Sequence, residues 1–490
     1  MAYDDLSGFL SELQDDGDLV RIAVSVDRDL EIAEITDRIC KLPDGGPAMV
    51  FENVKGSSIP IVTNLLGSEQ RMIKALRARS FDEAAGRILA MIKPDVPENW
   101  LEALNLVPRF AQLTKLPPKT VTTAICQQVV KIGTDVDLNE LPIPRCWPDE
   151  PGPSITLGQL YTQHPTSRIR NVGLYPLQVM GRGSLAVHWS VQDEAWSNFD
   201  EYRTQQQQMP IAIALGGDPL LNFVASAPWP ANTDDCLLAG CLREKNVELV
   251  KCRSHDLEVP AEAEIVIEGY IDTSAPLISA GIIGSPIGFY GPTEQLPAIN
   301  VTAVTHRSNP IFPAMIYGRP PMEDYWMHKA SERLFLPIVK LFVPEIIDYH
   351  MPRSGAFRHL LFASFKKSYS GQSRKVMHAL WGLDWLFATK IIVVVDQDVL
   401  VQDEEQVWFH VGANVHPGRD TVFCEGPTHM LDHAAPTRGM GQKMGIDATR
   451  KLPEEGHPRA WPDEVLMTTE IKELVSRRWS DYGFGENLVL

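Results

Sequence analysis

Cysteine is scarce in this chain. Seven cysteines occur among 490 residues, an odd number, and no two of them are spaced C-x-x-C. A disulfide framework or a cysteine-rich zinc site needs paired or closely spaced cysteines. The pattern therefore indicates reduced core thiols and predicts a cytoplasmic protein.

Long apolar runs and basic clusters are also missing. No apolar run approaches the roughly 20 residues that cross a bilayer. The first residues, MAYDDLSGFLSEL, carry acids where a secretory signal carries bases, and they predict a short amphipathic helix instead. The 63 acidic residues outnumber the 45 basic ones, so neither a membrane span nor a nucleic-acid partner is expected.

The third absence is local. Between Asp272 and Glu294 the chain contains no Asp, Glu, His, Lys, Arg or Cys, and the centre of this stretch reads AGIIGSPIGFY from Ala280 to Tyr290. Ser285 lacks the G-x-S-x-G context of a strained nucleophile, and a phosphate-binding loop would need Lys and Ser/Thr after its last glycine. The stretch predicts an apolar wall whose glycines allow close approach to a ligand.

The chain is long enough for two to four domains. Residues 1–115 alternate helical and extended patterns and predict a small α/β domain. Residues 116–321 are rich in strand patterns and predict a barrel or sandwich. Residues 322–490 show the βαβ rhythm of a buried parallel sheet, with a helix at about 373–389 and a strand at 391–395. The expected fold class is thus a multidomain α+β protein.

Several segments, in this order and spacing, resemble the UbiD family of decarboxylases across nearly the whole chain. They are 171–175 (NVGLY), 188–189 (HW), 239–243 (AGCLR), 248–270 (ELVKCRSHDLEVPAEAEIVIEGY), 318–321 (GRPP) and 441–449 (GQKMGIDAT). The look-alikes include decarboxylases of quinone biosynthesis.

The resemblance implies a central split β-barrel related to flavin reductases, and assembly as a homodimer or homohexamer through the C-terminal domain. It also implies prenylated FMN, made by a flavin prenyltransferase as cofactor supplier. This cofactor bonds to an unsaturated carbon of a small aromatic or conjugated substrate and acts as the electron sink for loss of carbon dioxide.

The same resemblance implies a divalent metal, manganese or magnesium, and a monovalent ion such as potassium near the cofactor phosphate. The family's metal ligands, an Asn, a Glu and a His, fall at Asn171, Asp235 and Gln192. Without the resemblance, Asn171 would be interpreted as a turn residue and Asp235 as a helix N-cap. The implied flavin contacts are Leu174, Tyr175, Pro176, His188, Trp189 and Ser190. Asp193 and Glu194 stand where relatives often have bases, and would repel a phosphate unless a metal compensates or they face solvent.

The family's catalytic trio is an Arg and two acids, and these positions fall at Pro176, Ala280 and Ser285. Proline offers no donor, so the carboxylate clamp and both acids are missing together. The candidates for catalytic roles are Ser285, His188, His328, Tyr290 and Glu294. For His328 the alternative is a surface histidine on a helix that begins near Asp324.

Three functions remain open on these residues. The first is a prenylated-FMN lyase that decarboxylates its substrate with substitute proton donors. The second is an enzyme with the same covalent chemistry but no loss of carbon dioxide, such as a hydratase or ring-opening hydrolase acting on a substrate without a carboxylate. The third is a non-catalytic flavin-binding subunit.

Overall fold

A computed structural model describes residues 3–92 and 116–483. Three groups of elements follow one another along the chain, around several hydrophobic clusters. Single turns of 3-10 helix occur at Pro43–Gly45, Ile125–Gln127, Gly133–Asp135, Leu138–Glu140, Arg353–Gly355, Pro453–Glu455 and Trp479–Tyr482.

The N-terminal group confirms the predicted amphipathic helix. Leu6–Asp15 is capped by Asp5, which accepts from the Gly8 amide, and it buries Leu6, Phe9, Leu10 and Leu13 at helical spacing. The other helices are Glu31–Cys40, Glu69–Ala75 and Phe81–Ile92. They accompany a sheet with the strand order Leu19–Ile22, Ala48–Phe51, Ile61–Thr63 and Phe312–Pro313.

The middle group is built on a nine-stranded antiparallel sheet. Along its strand Met209–Leu215, Ile211, Ile213 and Leu215 join one hydrophobic cluster, whereas Ala212 and Ala214 join another. Both faces of the sheet are therefore covered, as the period of two requires. The order is Ser154–Ile155, Leu177–Gly181, Ser184–Val187, Ala298–His306, Ile265–Ile271, Met209–Leu215, Gln159–Gln163 and Arg170–Leu174, with Val129–Ile132 also paired to Ala298–His306.

Smaller elements complete the middle group. Glu258–Pro260, Glu248–Lys251 and Lys119–Val121 form a three-stranded sheet, and Ile278–Ala280 pairs with Glu294–Leu296 across the acid-free stretch. The helices are Glu194–Thr204, Leu220–Val224 and the predicted Asp235–Arg243.

The C-terminal group begins with the long helix Glu323–Phe342, which packs on Phe81–Ile92. Its five-stranded sheet has the order Ile346–His350, Leu360–Phe365, Ile391–Asp396, Met440–Asp447 and Thr421–Pro427, and the three central strands are parallel as expected. The helices are Gln372–Trp381, Glu404–Asn414, Pro417–Asp420 and Thr469–Arg477. The predicted helix at 373–389 ends early, because Gly382 terminates it.

None of the helices in residues 3–92 and 116–483 is both long and apolar enough to cross a bilayer.

Candidate active site

A cavity of about 1170 Å³ lies where the three groups meet. The middle group contributes Asn171, Leu174, Tyr175 and Asp235 to its wall, and the C-terminal group contributes apolar side chains that include Phe335 and Trp385. A cavity of this size, mostly apolar with a few convergent polar groups, is typical of a cofactor and substrate site.

Asn171 and Asp235 lie side by side in this wall. Asp235 is the first residue of its helix rather than the N-cap, a role that Asp234 takes by accepting from the Cys236 amide. The Asp235 carboxylate instead accepts from the Val172 amide at 2.7 Å, next to Asn171 on its strand. Burial raises the pKa of Asp235 to about 8, and the charge of Glu194 adds to this effect.

Gln192 lies at the same cavity but is exposed, and its amide nitrogen donates to the carbonyl oxygen of Thr428 at 3.2 Å. Asp193 and Glu194 also line the cavity and are half-buried. Glu194 accepts from the Asn232 amide at 3.0 Å, and its carboxylate acts electrostatically on Asp235. The carboxylates of Asp235 and Glu194 and the amide oxygen of Asn171 are ligands suited to magnesium or manganese. Glu194 is therefore a further candidate ligand. The two adjacent acids at 193 and 194 were the available signal for it in the sequence.

The predicted flavin contacts leave polar atoms without partners. His188 Nε2 and the Trp189 indole nitrogen are buried, and neither has a hydrogen-bond partner among the residues that the structure describes. Trp189 packs edge-on against Tyr175, with ring centroids 6.2 Å apart. Among the described residues of the cavity wall, Arg358 is the one Lys or Arg, so a bound phosphate would depend on a cation held by the nearby carboxylates. The residues fit a flavin nucleotide held with a metal.

The acid-free stretch lies against other parts of the protein. A Cβ on Gly284 would come within 2.1 Å of Trp147, and one on Gly281 within 2.2 Å of Pro151. The glycines therefore permit contact with these side chains rather than with a ligand. Ala280 is buried beside Ala186 and Leu296, and no described residue from 280 to 290 lines the cavity.

Two catalytic candidates in this stretch have structural partners. Ser285 is 4% exposed, and its hydroxyl donates to the carbonyl oxygen of Phe289 at 2.7 Å. Tyr290 is 39% exposed, and its hydroxyl accepts from the Asp149 amide at 3.2 Å. The first contact closes the loop on itself and the second ties it to Asp149, and no base among the described residues forms a hydrogen bond with the Ser285 side chain.

Glu294, at the end of the acid-free stretch, joins His188 to Arg438. Its Oε2 lies 3.5 Å from His188 Nδ1, and its Oε1 lies 2.5 Å from Arg438 Nη2. Although burial opposes it, hydrogen bonding to His188 and Arg438 lowers the pKa of Glu294. A carboxylate at Nδ1 orients an imidazole and leaves Nε2 to exchange a proton. We call Arg438, Glu294 and His188 the relay. No local pattern pointed to Arg438, which is far from Glu294 along the chain.

A second polar group, here the C-terminal cluster, consists of Asp324, His328, Arg358 and His429. Arg358 donates to Nε2 of His328 at 2.8 Å and to Nε2 of His429 at 3.3 Å. Burial, aided by the charge of Arg358, lowers the pKa of both histidines well below its ordinary value, which keeps them neutral acceptors. His328 also stacks on Phe357 and lines the cavity, so the surface-histidine alternative is wrong.

Asp324 is 4% exposed and lines the cavity with His328, one helical turn away. Neither of its carboxylate oxygens makes a well-formed hydrogen bond to a described residue, although the backbone amides of Asp324 and Tyr325 lie near enough to favour the charged carboxylate. Burial raises the pKa of Asp324 to about 7, although Arg358 lowers it. The sequence reasoning missed Asp324, Arg358 and His429, because they come from a helix start and two separate loops with no shared motif.

Three family models match successive parts of the chain. They describe the N-terminal, Rift-related and C-terminal domains of 3-octaprenyl-4-hydroxybenzoate carboxy-lyase, at residues 10–91, 119–320 and 325–448. The chain belongs to the UbiD family. The predicted family resemblance is thereby confirmed, together with a fold of mixed α and β content in three domains.

Relatives in the UbiD family match over their full length. An uncharacterized protein of Aquifex aeolicus is 44% identical over 481 residues, which is 98% of this chain and 99% of the relative. Among solved structures, the vanillic acid decarboxylase ShVdcCD of Sedimentibacter hydroxybenzoicus is 26% identical. In its closed form it gives a TM-score of 0.85, covering 99% of this chain and 100% of that chain, whereas an open form gives 0.78.

The UbiD-class enzyme HmfF from Pelotomaculum thermopropionicum, in complex with FMN, gives a TM-score of 0.80 at 28% identity, covering 98% of this chain and 100% of that chain. An evolved dimeric form of that enzyme, in complex with prFMN, covers 96% of this chain and 98% of that chain. These UbiD structures show that neighbours with this fold bind FMN and prFMN.

One other group could hold a metal among the described residues of this UbiD chain. Cys252, His255 and Glu268 bring their ligand atoms within 4.8 Å of one another. Glu268, however, accepts from the backbone amides of Arg253 and Ser254, and His255 Nε2 lies 2.9 Å from the carbonyl oxygen of Ile211. Two of the three side chains, His255 and Glu268, already have protein partners, so we assign no metal to this group.

Proposed function

We propose that this protein is a prenylated-FMN-dependent lyase of the carboxy-lyase class that acts on an aromatic or conjugated small molecule. In this proposal the family's catalytic positions at Pro176, Ala280 and Ser285 carry no acid or base, and the relay replaces them. The observation that carries the proposal is the His188–Glu294–Arg438 contact, in which His188 directly precedes the segment that leads into the cavity-lining residues 191–194 and its Nε2 is buried without a partner among the described residues.

Asn171, Asp235 and Glu194, with Gln192 nearby, would hold manganese or magnesium, and potassium would bind close by. Leu174, Tyr175, Pro176, His188, Trp189 and Ser190 would contact the flavin. When bound, prenylated FMN supplies an electron sink through a covalent bond to the substrate. Two acids near one phosphate are tolerated because the cations offset their charge.

His188 holds and moves a proton at Nε2 in this proposal. Glu294 fixes the imidazole orientation through Nδ1 and stabilises its charged form, and Arg438 keeps Glu294 ionised. A positioned general acid or base of this kind contributes roughly 10²–10⁴ in rate. The relay thus supplies the proton that the missing loop acids would otherwise donate.

A second candidate is a prenylated-FMN enzyme that releases no carbon dioxide, such as a hydratase or ring-opening hydrolase. Pro176 favours it, because a proline cannot donate to a substrate carboxylate. Both candidates need a flavin prenyltransferase as supplier and are consistent with a homodimer or homohexamer. A non-catalytic subunit is the outcome if no substrate turns over.

The test is co-production with a flavin prenyltransferase, mass spectrometry of the bound flavin, and exchange of ¹³C-bicarbonate into a panel of aromatic acids. We expect modified flavin and exchange on at least one acid. His188→Gln should lose this exchange, while His416→Gln, which changes an exposed histidine, should keep it.

Modified flavin without exchange, but with hydration or ring opening of neutral substrates, would favour the second candidate. Protein that carries no modified flavin would sink both. Retained exchange in His188→Gln would refute the relay.

A further inference from the structure

Lys443 is buried in the C-terminal sheet without a counter-ion. It lies on the strand Met440–Asp447 and is 3% exposed, and no carboxylate of the described residues forms an ion pair with it. Its amine donates to the carbonyl oxygen of Phe387 and lies 5.8 Å from the ring centroid of Trp381. A lysine is seldom buried unless an acid is paired with it, because its charged form loses hydration.

The surroundings of Lys443 favour its neutral form. Burial lowers the pKa of the Lys443 amine, and a negative charge on Cys424 acts in the opposite direction. The neutral amine is the nucleophilic form of a lysine, and a buried lysine reaches it more easily than an exposed one. Lys443 is therefore a candidate nucleophile rather than a member of an ion pair.

Cys424 is the residue that faces Lys443. The two are directly opposite each other where Thr421–Pro427 pairs with Met440–Asp447 in antiparallel fashion, and Cβ atoms in such pairs are about 4.5–5.5 Å apart. Cys424 packs against the hydrophobic cluster that contains Trp381, so both side chains lie on one face of the sheet. The amine of Lys443 also reaches across to the strand of Cys424, because it lies 3.8 Å from the position that a Cβ on Gly426 would occupy.

Cys424 differs from the other cysteines in its exposure. Cys424 is partly exposed, whereas the other six are buried. Burial raises the pKa of all six of these thiols. Oxidation of a cysteine requires access for the oxidant and formation of the thiolate. Cys424 is therefore the cysteine at which oxidation is expected first.

We propose that Cys424 and Lys443 form a covalent cross-link when the protein meets hydrogen peroxide. Peroxide oxidises the Cys424 thiolate to a sulfenic acid and is itself reduced to hydroxide. The neutral amine of Lys443 then attacks Sγ, so that an S–N bond forms while the S–O bond breaks. The oxygen leaves as water with one proton from the amine, and a sulfenamide remains. Thiol exchange with a reductant restores the free thiol and amine.

The cross-link lies at the base of a hairpin that reaches the candidate active site. The loop of this hairpin, residues 428–439, carries Arg438 of the relay. Phe387, whose carbonyl oxygen accepts from Lys443, lines the cavity. The pair thus connects the oxidation state of a partly exposed thiol to the loop and the wall of this site. Its formation requires neither cofactor nor substrate, so it does not depend on the proposed function.

The test is treatment of the reduced full-length protein, co-produced with a flavin prenyltransferase, with hydrogen peroxide. Free thiols are then alkylated, and tryptic peptides are identified by mass spectrometry. We expect residues 420–438 to be joined to residues 439–450, with no cleavage after Lys443 and a mass equal to the two peptides less two hydrogen atoms. Dithiothreitol added before alkylation should remove this species.

Cys424→Ser and Lys443→Arg should each lose the linked peptide. Cys241→Ser, which changes a buried cysteine, and Lys375→Arg, which changes an exposed lysine paired with Glu345, should keep it. If Lys443→Arg does not fold, Lys443→Met decides, because it removes the buried charge.

Two results would overturn the cross-link. The first is oxidation of Cys424 to sulfinic or sulfonic acid with normal cleavage after Lys443 and no linked peptide. The second is an unmodified Cys424 in protein whose buried cysteines have been oxidised. A linked peptide that persists in Cys424→Ser or in Lys443→Arg would likewise exclude this pair as its origin.

Discussion

Asp324→Asn should stabilise the protein. The native carboxyl is buried, and the backbone amides of Asp324 and Tyr325, which are its nearest donors among the described residues, form no well-aligned hydrogen bond with it. Its ionisation in the folded state is therefore unfavourable, and the neutral amide removes this cost. Active-site residues often reduce stability in this way, and their replacement then raises it.

The magnitude follows from the pKa. Burial raises the pKa of Asp324 from 3.8 to about 7. Between these values the unfolded chain has released the proton and the folded chain retains it, so stability falls by about 1.4 kcal/mol for each pH unit of increase. Above pH 7 the accumulated loss is about 4 kcal/mol. The Asn variant should avoid this loss and match the native protein only at acid pH.

The assay is thermal unfolding of both proteins at pH 5, 6, 7 and 8. The advantage of Asp324→Asn should grow with pH and level off above 7, with a gain of several degrees in Tm. Asp384→Asn serves as the control, since that acid is exposed. A variant less stable than the native protein at pH 8, or a difference that does not change with pH, would refute the reasoning.

Three further outcomes are expected. Glu294→Gln should reduce the rate by about 10²–10⁴ on whichever substrate shows exchange. Arg438→Gln should reduce it by less, because His188 retains its orienting oxygen. Equal rates for Glu294→Gln and the native protein would contradict this. Glu332→Gln should cost about 3–5 kcal/mol near pH 7, because the carboxylate is buried at 2.6 Å from Lys329 and 2.9 Å from Arg333. Hydrogen bonding to His350 and the charge of Lys329 lower the pKa of Glu332 to about 2 against burial, so this contribution is lost as pH falls from 4.5 toward 2 and the two unfolding curves converge there. A chain ending at Glu464 should keep its Tm, because the helix Thr469–Arg477 has no buried residue. It should form a smaller oligomer by light scattering, because Val465–Met467 are apolar and exposed. An unchanged mass would refute this.

Sequence patterns predicted the helices and strands in which every buried position is apolar. The spacing of Leu6, Phe9, Leu10 and Leu13 fixed one helix, and the apolar run at 391–395 fixed a central parallel strand, because burial imposes a period on every residue. The family motifs also nominated Asn171, Asp235 and His188, because Asn171 and His188 lie within matched segments and Asp235 lies four positions before the segment 239–243.

The site residues that sequence patterns did not predict are those whose partners lie far away along the chain. Arg438 reaches Glu294 from a loop of the C-terminal sheet, and Arg358 meets His429 from another. No local pattern reports such pairs. Glu194 was noted in the sequence as an acid near the cofactor phosphate. Its role as a candidate metal ligand could be inferred only once the start of its helix was found at the cavity.

The relay joins two groups of elements through one ion pair. Glu294 and His188 belong to the middle group, whereas Arg438 comes from the loop before the strand Met440–Asp447. A hinge motion between the two groups would separate Arg438 from Glu294 and leave the carboxylate without its cation. Proton transfer by His188 would then require the two groups to be together, with water excluded from the cavity. The same ion pair would thus separate substrate entry from chemistry in time.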